Sequence, residues 1–360
     1  MRRTRALFAV GAAAALVVSA PMPLASANTR PPIIREWSNQ VIAPFSIAVD
    51  GTRVLVADGA TGVIGQLKSD GSFKSVVTDV PGLAGLATRG EWLAYGSSVA
   101  DETTEPPVIS ASNLNIRNPR GKMTQVDLRA FEEKYNPDSK FTYGFTDPAS
   151  CGHSMAYTGL IDSHVYAVAA YGDSWLVADA GSNAIYKVSN RGRVSVVAVL
   201  PPAPVTVTAE MAAQYGMPDC IVGDTYQAEG VPTDVAVGRD GMIYATSLPG
   251  VPGDGGPSGV LYKINPWNGK VTKVADGLSG PTSLAISGRS IYVAELFGQG
   301  VSSVKGSNVS LFAALPGALS VATGPHGTVW AATMASEAGP GKLVSISNHR
   351  VVVRGHFRHR

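Results

Sequence analysis

PFSIAVDGTRVLVAD (Pro44–Asp58), LAGLATRGEWLAYG (Leu83–Gly96), VYAVAAYGDSWLVAD (Val165–Asp179), PTDVAVGRDGMIYATS (Pro232–Ser247), PTSLAISGRSIYVAE (Pro281–Glu295) and ALSVATGPHGTVWAAT (Ala318–Thr333) are six copies of one phrase. Each is an apolar strand with Ala at its centre (Ala48, Ala87, Ala169, Ala236, Ala285 and Ala322), then a Gly-bearing turn, then a second apolar strand. The alanines stand 39, 82, 67, 49 and 37 residues apart. Repeats of about 40 to 50 residues, each a few short strands, mark a β-propeller. The expectation is an all-β, six-bladed propeller.

Details of the repeat fit that geometry. Inner strands of a propeller converge on its axis, where a small Ala fits. The turn glycines Gly51, Gly90, Gly172, Gly241, Gly288 and Gly327 supply the positive φ of a tight hairpin. The second strands align Leu55, Leu93, Leu176, Tyr244, Tyr292 and Trp330 as large packing residues between blades. Third strands follow at Val63–Lys68, Ala184–Ser189, Val260–Asn265, Gly300–Lys305 and Lys342–Ser347, several leading into an outer strand. The ring has to close, because an open one leaves sheet edges unpaired. Arg35–Ile42 is expected to supply the outer strand of the last blade, with Arg350–Arg354 as the competing candidate.

Two segments break the period: residues 97–162, which are expected to hold an enlarged second blade, and the insertion 201–229. Both are expected between an outer strand and the next inner strand, hence on one face. A helix is expected within Val126–Asp138, where Leu128, Phe131 and Tyr135 recur on one side and Asn136–Pro137 ends the run. A second is expected at Thr208–Tyr215.

Residues 1–27 read as a cleavable leader: Arg2, Arg3 and Arg5, an apolar run Ala6–Ala20, and Ala25-Ser26-Ala27 before a cut after Ala27. The apolar run is short for a membrane span, and no second one follows. The chain is therefore expected outside the cytoplasm, with the propeller over 28–348 and a basic tail over 349–360. A formal net charge of +2, with three positive charges in the leader, excludes the basic footprint of a nucleic-acid binder. Two cysteines in an exported chain, Cys151 and Cys220, are expected to pair, one in each insert.

DLRAFEEKYNPDS (Asp127–Ser139), DSHVYAVAAYGDSWLVADAGSNAIYKV (Asp162–Val188), VPTDVAVGRDGMIYATSLPG (Val231–Gly250) and GVLYKI (Gly259–Ile264) stand in an order that resembles the ScyD/ScyE family of secreted bacterial propellers. The likeness covers most of residues 45–346. It implies kinship with NHL-repeat and SMP-30-like propellers, which include metal-dependent lactonases and lyases as well as binding modules. The chain departs from the family phrase in a longer insert at Thr142–Ile161 and in Asp234, where a small residue is usual.

Candidate chemistry is sparse. In the second register of the inner strands, Ser46, Gly85, Ala167, Ser283 and Ser320 are small and Asp234 alone is a carboxylate. Asp234 is open to two readings: metal ligand or base, or acceptor of nearby backbone N–H groups. SMP-30-type sites gather three or four oxygen ligands from different blades, and here only Asp234 and Glu229 offer themselves, with Ca²⁺ the ion they would suit. Asp58, Asp179, Ser247 and Glu295 end second strands around one mouth, as a ligand-binding rim or as turn-starting residues. No nucleophile motif, zinc motif or phosphate loop occurs. The expected function is a binding or scaffold propeller that recognises a small molecule, glycan or protein on its insert-covered face. The alternative is a metal-assisted lactonase- or lyase-like enzyme.

Overall fold

The computed structural model describes residues 31–101, 103, 108–146, 156–254 and 256–347. Six four-stranded antiparallel sheets form the blades of a closed propeller. Blades one to five begin at the inner strands Pro44–Asp50, Ala84–Arg89, Val165–Tyr171, Gly230–Val237 and Pro281–Ser287. Blade six begins at Ala318–Thr323 and takes its outer strand from the N-terminal end of the described chain. That strand, Ile33–Val41, pairs with Gly341–Ser347, so closure follows the expected route. The competing segment 350–354 lies outside the described residues, as do the leader, the basic tail and Cys151. No helix among the described residues is long and apolar enough to cross a membrane.

Side chains alternate along each strand, so one strand serves two neighbours. Leu55 packs toward blade two with Leu86 and Tyr95. Val54 and Val56 pack toward blade six with Trp330 and Leu343. The apolar core is accordingly six clusters, one in each interface between blades. All six turn glycines have positive φ.

One register differs from the sequence alignment. Ala48 lies opposite Leu55, Ala169 opposite Leu176 and Ala285 opposite Tyr292. In blade two Ala87 lies opposite Ala94, and Leu93 faces Thr88. The two-residue turn between Arg89 and Trp92 fixes this pairing, and aligning by side-chain bulk shifted the strand by one place.

Residues 97–162 open with the expected enlargement of blade two. Trp92–Asp101 and Val108–Arg117 are an elongated hairpin of blade two, and Met123–Asp127 is its outer strand. The insert proper begins at helix α1 (Leu128–Tyr135), capped by the Asp127 carboxylate on Ala130 N–H at 2.8 Å. Its buried residues are Leu128 and Glu132, whereas Tyr135 is exposed. The second insert holds α2 (Ala209–Gln214) and the hairpin Ala203–Thr206 with Thr225–Ala228. The two inserts join through Gly144 and Gln227 and through a seventh apolar cluster around Phe145, Val207, Ala212 and Ile221.

Candidate functional site: the central channel

Each inner strand is hydrogen-bonded on one side only, so its free edge faces the axis. Consecutive residues therefore line the channel, such as Ser46 to Val49 and Asp234 to Val237, rather than every second one. The resulting cavity, about 270 Å³, is walled by peptide groups despite the apolar names of its residues. It occupies the half of the channel nearer the inner hairpins, away from the inserts.

Asp234 is the single carboxylate on this wall among the described residues. It accepts from Val235 N–H at 2.7 Å on Oδ1, and from Leu284 N–H at 2.7 Å and Ser283 Oγ at 2.8 Å on Oδ2. Oδ1 retains an acceptor lone pair. Burial pushes the Asp234 carboxyl up to about 6, with the three donors opposing that rise. Asp234 also ties blade four to blade five, and Ser283 continues the chain by accepting from Val321 N–H at 3.2 Å in blade six. Ser46 donates to Leu86 O at 3.3 Å, joining blade one to blade two. Ser46 and Ser283 thus link neighbouring inner strands, whereas the buried Ser320 hydroxyl of the same register has no partner among the described residues.

Two aromatic rings meet toward the insert side of the channel. All six inner strands bulge near their start, and Phe45, Gly85 and Tyr166 are the bulged residues of blades one, two and three. The Phe45 and Tyr166 rings meet edge to face at 5.8 Å although blade two lies between them. Burial and the nearby Asp234 charge raise the Tyr166 hydroxyl. Tyr166 of blade three thus stands close to both blade one and blade four.

The rim residues sit at equivalent places but face inward to backbone. Asp58 accepts from Ile42 N–H at 2.7 Å, Ala43 N–H at 3.2 Å and Ala60 N–H at 3.2 Å. Asp179 accepts from Ser163 Oγ at 2.6 Å, His164 N–H at 2.8 Å and Ser182 N–H at 3.1 Å. Glu295 accepts from Ser279 N–H at 2.6 Å. Each acid holds the crossover that enters its own blade, and Asp58 and Asp179 also accept from the turn that follows their own strand. Ser247 is buried opposite Pro232.

Glu229 is remote from the Asp234 cluster. It stands within hydrogen-bond reach of Tyr157 and Asn183, and burial, with the Asp138 charge next, raises it to about 7. Asp234 and Glu229 thus have separate partners, and no group of three His, Cys, Asp or Glu side chains suited to a metal occurs among the described residues. The cavity wall offers a cation one carboxylate, which does not fit the many-carboxylate channel site expected of a metal-assisted enzyme.

No protein-family model and no curated protein matches the chain. Solved structures do. A putative oxidoreductase (glucose dehydrogenase) from Thermus thermophilus is 15% identical with a TM-score of 0.54, over 88% of this chain and 99% of that one. A PQQ-bound aldose sugar dehydrogenase from Streptomyces coelicolor is 12% identical with a TM-score of 0.53, over 88% and 98%. A putative gluconolactonase is 12% identical with a TM-score of 0.52, over 88% and 92%. At these identities the likeness is one of fold: the chain is a six-bladed propeller of the architecture seen in gluconolactonase-like and PQQ-dehydrogenase proteins.

Proposed function

We propose that this chain is an exported binding propeller of the ScyD/ScyE kind, whose channel takes a small hydroxyl-rich molecule at Asp234. The reading rests on the polar cavity itself, with one raised carboxylate on a wall of inner-strand edges that have no neighbouring strand. Peptide N–H and C=O groups together suit a ligand that both donates and accepts, and the volume suits one about the size of a single sugar ring. Entry is from the hairpin end, because the Phe45 and Tyr166 rings meet toward the insert side. The inserts then serve as a brace rather than as the recognition face.

Two measurements test this. Saturation-transfer NMR with monosaccharides, polyols and sugar lactones is expected to detect a binder, and release of acid from glucono-lactone is expected to stay at the buffer rate. Lactone hydrolysis that Asp234→Asn abolishes would instead establish the metal-assisted enzyme.

Export and the disulfide belong to the same proposal. Cleavage after Ala27 leaves Asn28 as the first residue, which N-terminal sequencing of the exported protein reads directly. Cys220 lies in the turn Asp219–Ile221 of the second insert and is not a free thiol. Its proposed partner is Cys151 of the first insert. Titration of denatured, unreduced protein should find no free thiol, and reduction should expose the inserts to protease before the blades. Two reactive thiols per chain would refute the bond.

A further inference from the structure

Six buried side-chain polar atoms have no hydrogen-bond partner among the described residues, and four of them belong to one neighbourhood. They are Glu132 Oε1, Asn136 Oδ1, Asp138 Oδ1 and Asn183 Oδ1, and every one is an oxygen acceptor. The other two, on Ser38 and Ser320, are single hydroxyls elsewhere. A buried polar atom without a partner destabilises the fold, and more so when it is charged. Four together call for a shared occupant.

The local structure holds these groups around one strap of chain, residues 159–163. Glu132, on the buried side of α1, turns Oε2 to Asp162 N–H at 2.9 Å and Ser163 N–H at 2.6 Å, which leaves Oε1 unused. Asn136, the left-handed cap of α1, donates Nδ2–H to Gly159 O at 2.9 Å, leaving its Oδ1 unused. Asp138 accepts on Oδ2 from Asn183 Nδ2 at 2.9 Å and Tyr143 OH at 3.2 Å. Its Oδ1 lies so close to Gly159 that a Cβ at that position would collide with it. Asn183 sits in the turn after the second strand of blade three, and its amide nitrogen is the atom bonded to that carboxylate, which leaves its Oδ1 unused. Glu132, Asp138 and Asn183 are wholly buried. The charges felt by Glu132 and Asp138 come from other carboxylates, and burial raises both groups.

We infer that Glu132, Asn136, Asp138 and Asn183 form a binding site for one hard divalent cation, Ca²⁺. Two carboxylate and two amide oxygens, with carbonyls of the strap nearby, are the oxygen-only donor set that this ion takes in flexible geometry. Mg²⁺, which requires a tighter octahedron, suits the site less well. The cation would join the end of α1, the strap and blade three. The strap leads through Ser163 and His164, both held by Asp179, directly to Tyr166. Occupancy would therefore anchor the segment that carries Tyr166. The site does not depend on what the channel binds.

The test uses the purified protein stripped of metal. Calorimetric titration should give one Ca²⁺ per chain, and Ca²⁺ at about 100 times its Kd should raise the melting temperature by roughly 5 °C. Tb³⁺ should bind in place of Ca²⁺ and luminesce on excitation of the neighbouring tyrosines, Tyr143 and Tyr186. Glu132→Gln and Asp138→Asn, each nearly isosteric, should weaken Ca²⁺ at least tenfold, and Asp234→Asn should leave it unchanged. Absence of any Ca²⁺ effect on the wild-type protein would overturn the site in favour of buried water or protons. Loss of the effect in Asp234→Asn alone would place the ion in the channel and overturn it as well.

Discussion

Deleting residues 28–42, and with them the strand Ile33–Val41, is expected to leave a chain that no longer folds as a ring. The strand is outermost in blade six, yet it contributes more than an edge. Val41 is fully packed, Trp37 stacks against Trp330 with ring centres 5.4 Å apart, and Trp37 Nε1 donates to Ser345 Oγ at 2.8 Å. Losing two large apolar contacts and a full ladder costs on the order of 5–10 kcal/mol, comparable to the whole stability of a domain. The strand Gly341–Ser347 would then present a bare edge to other molecules. Circular dichroism and size-exclusion chromatography should show aggregated or unfolded protein. A circular permutant that places Ile33–Val41 after Ser347 should restore cooperative melting, because the pairing is local once the two ends are joined. A deletion protein that melts within a few degrees of the intact one would contradict the closure.

The second large effect is a pH dependence centred on Asp234. Its folded value of about 6 lies above the ordinary value of 3.8. The stabilisation linked to the proton is thus fully present below pH 4 and is lost as pH rises through 6. A gap of about two pH units corresponds to about 3 kcal/mol. Other raised carboxyls, Glu229 and Glu132 among them, add slopes of the same sign, so the informative quantity is the difference between two proteins. Asp234→Asn should flatten the change in stability between pH 4 and pH 8 by about 3 kcal/mol relative to wild type, read from denaturant melts at each pH. The burial cost and the lost acceptor oppose each other in this variant, so its net change at neutral pH is small by comparison. Parallel slopes for the two proteins would show that the Asp234 carboxyl is not raised.

Much of the architecture was legible because its signals are local. A central Ala, a turn Gly shortly before a bulky partner and a fixed order of apolar runs repeat in every blade, and the N-terminal strand was the natural closure. Register in blade two was harder, since Leu93 and Ala94 differ in size but the hairpin turn, not size, sets the pairing. Glu132 was missed for a physical reason: a carboxylate on a short helix reads as solvent-facing, and only the Asp162 and Ser163 amides of a later loop account for its burial. Phe45 and Tyr166 likewise read as ordinary strand residues, because contact between blades one and three leaves no trace in local pattern. Asp58, Asp179 and Glu295 were correctly aligned as one register, while their shared bonding to entering crossovers emerged from three-dimensional neighbours.

Recognition in the channel at Asp234 is tested by comparing Asp234→Asn with Glu229→Gln on the tightest binder from the sugar and polyol panel. Both side chains are raised carboxyls in folded surroundings, but only Asp234 lines the cavity. The expected result is at least a tenfold rise in Kd for Asp234→Asn, the loss of one hydrogen bond to a charged group, with Glu229→Gln binding as wild type does. Weakened binding in Glu229→Gln with Asp234→Asn unaffected would contradict the claim and move recognition to the insert-covered face.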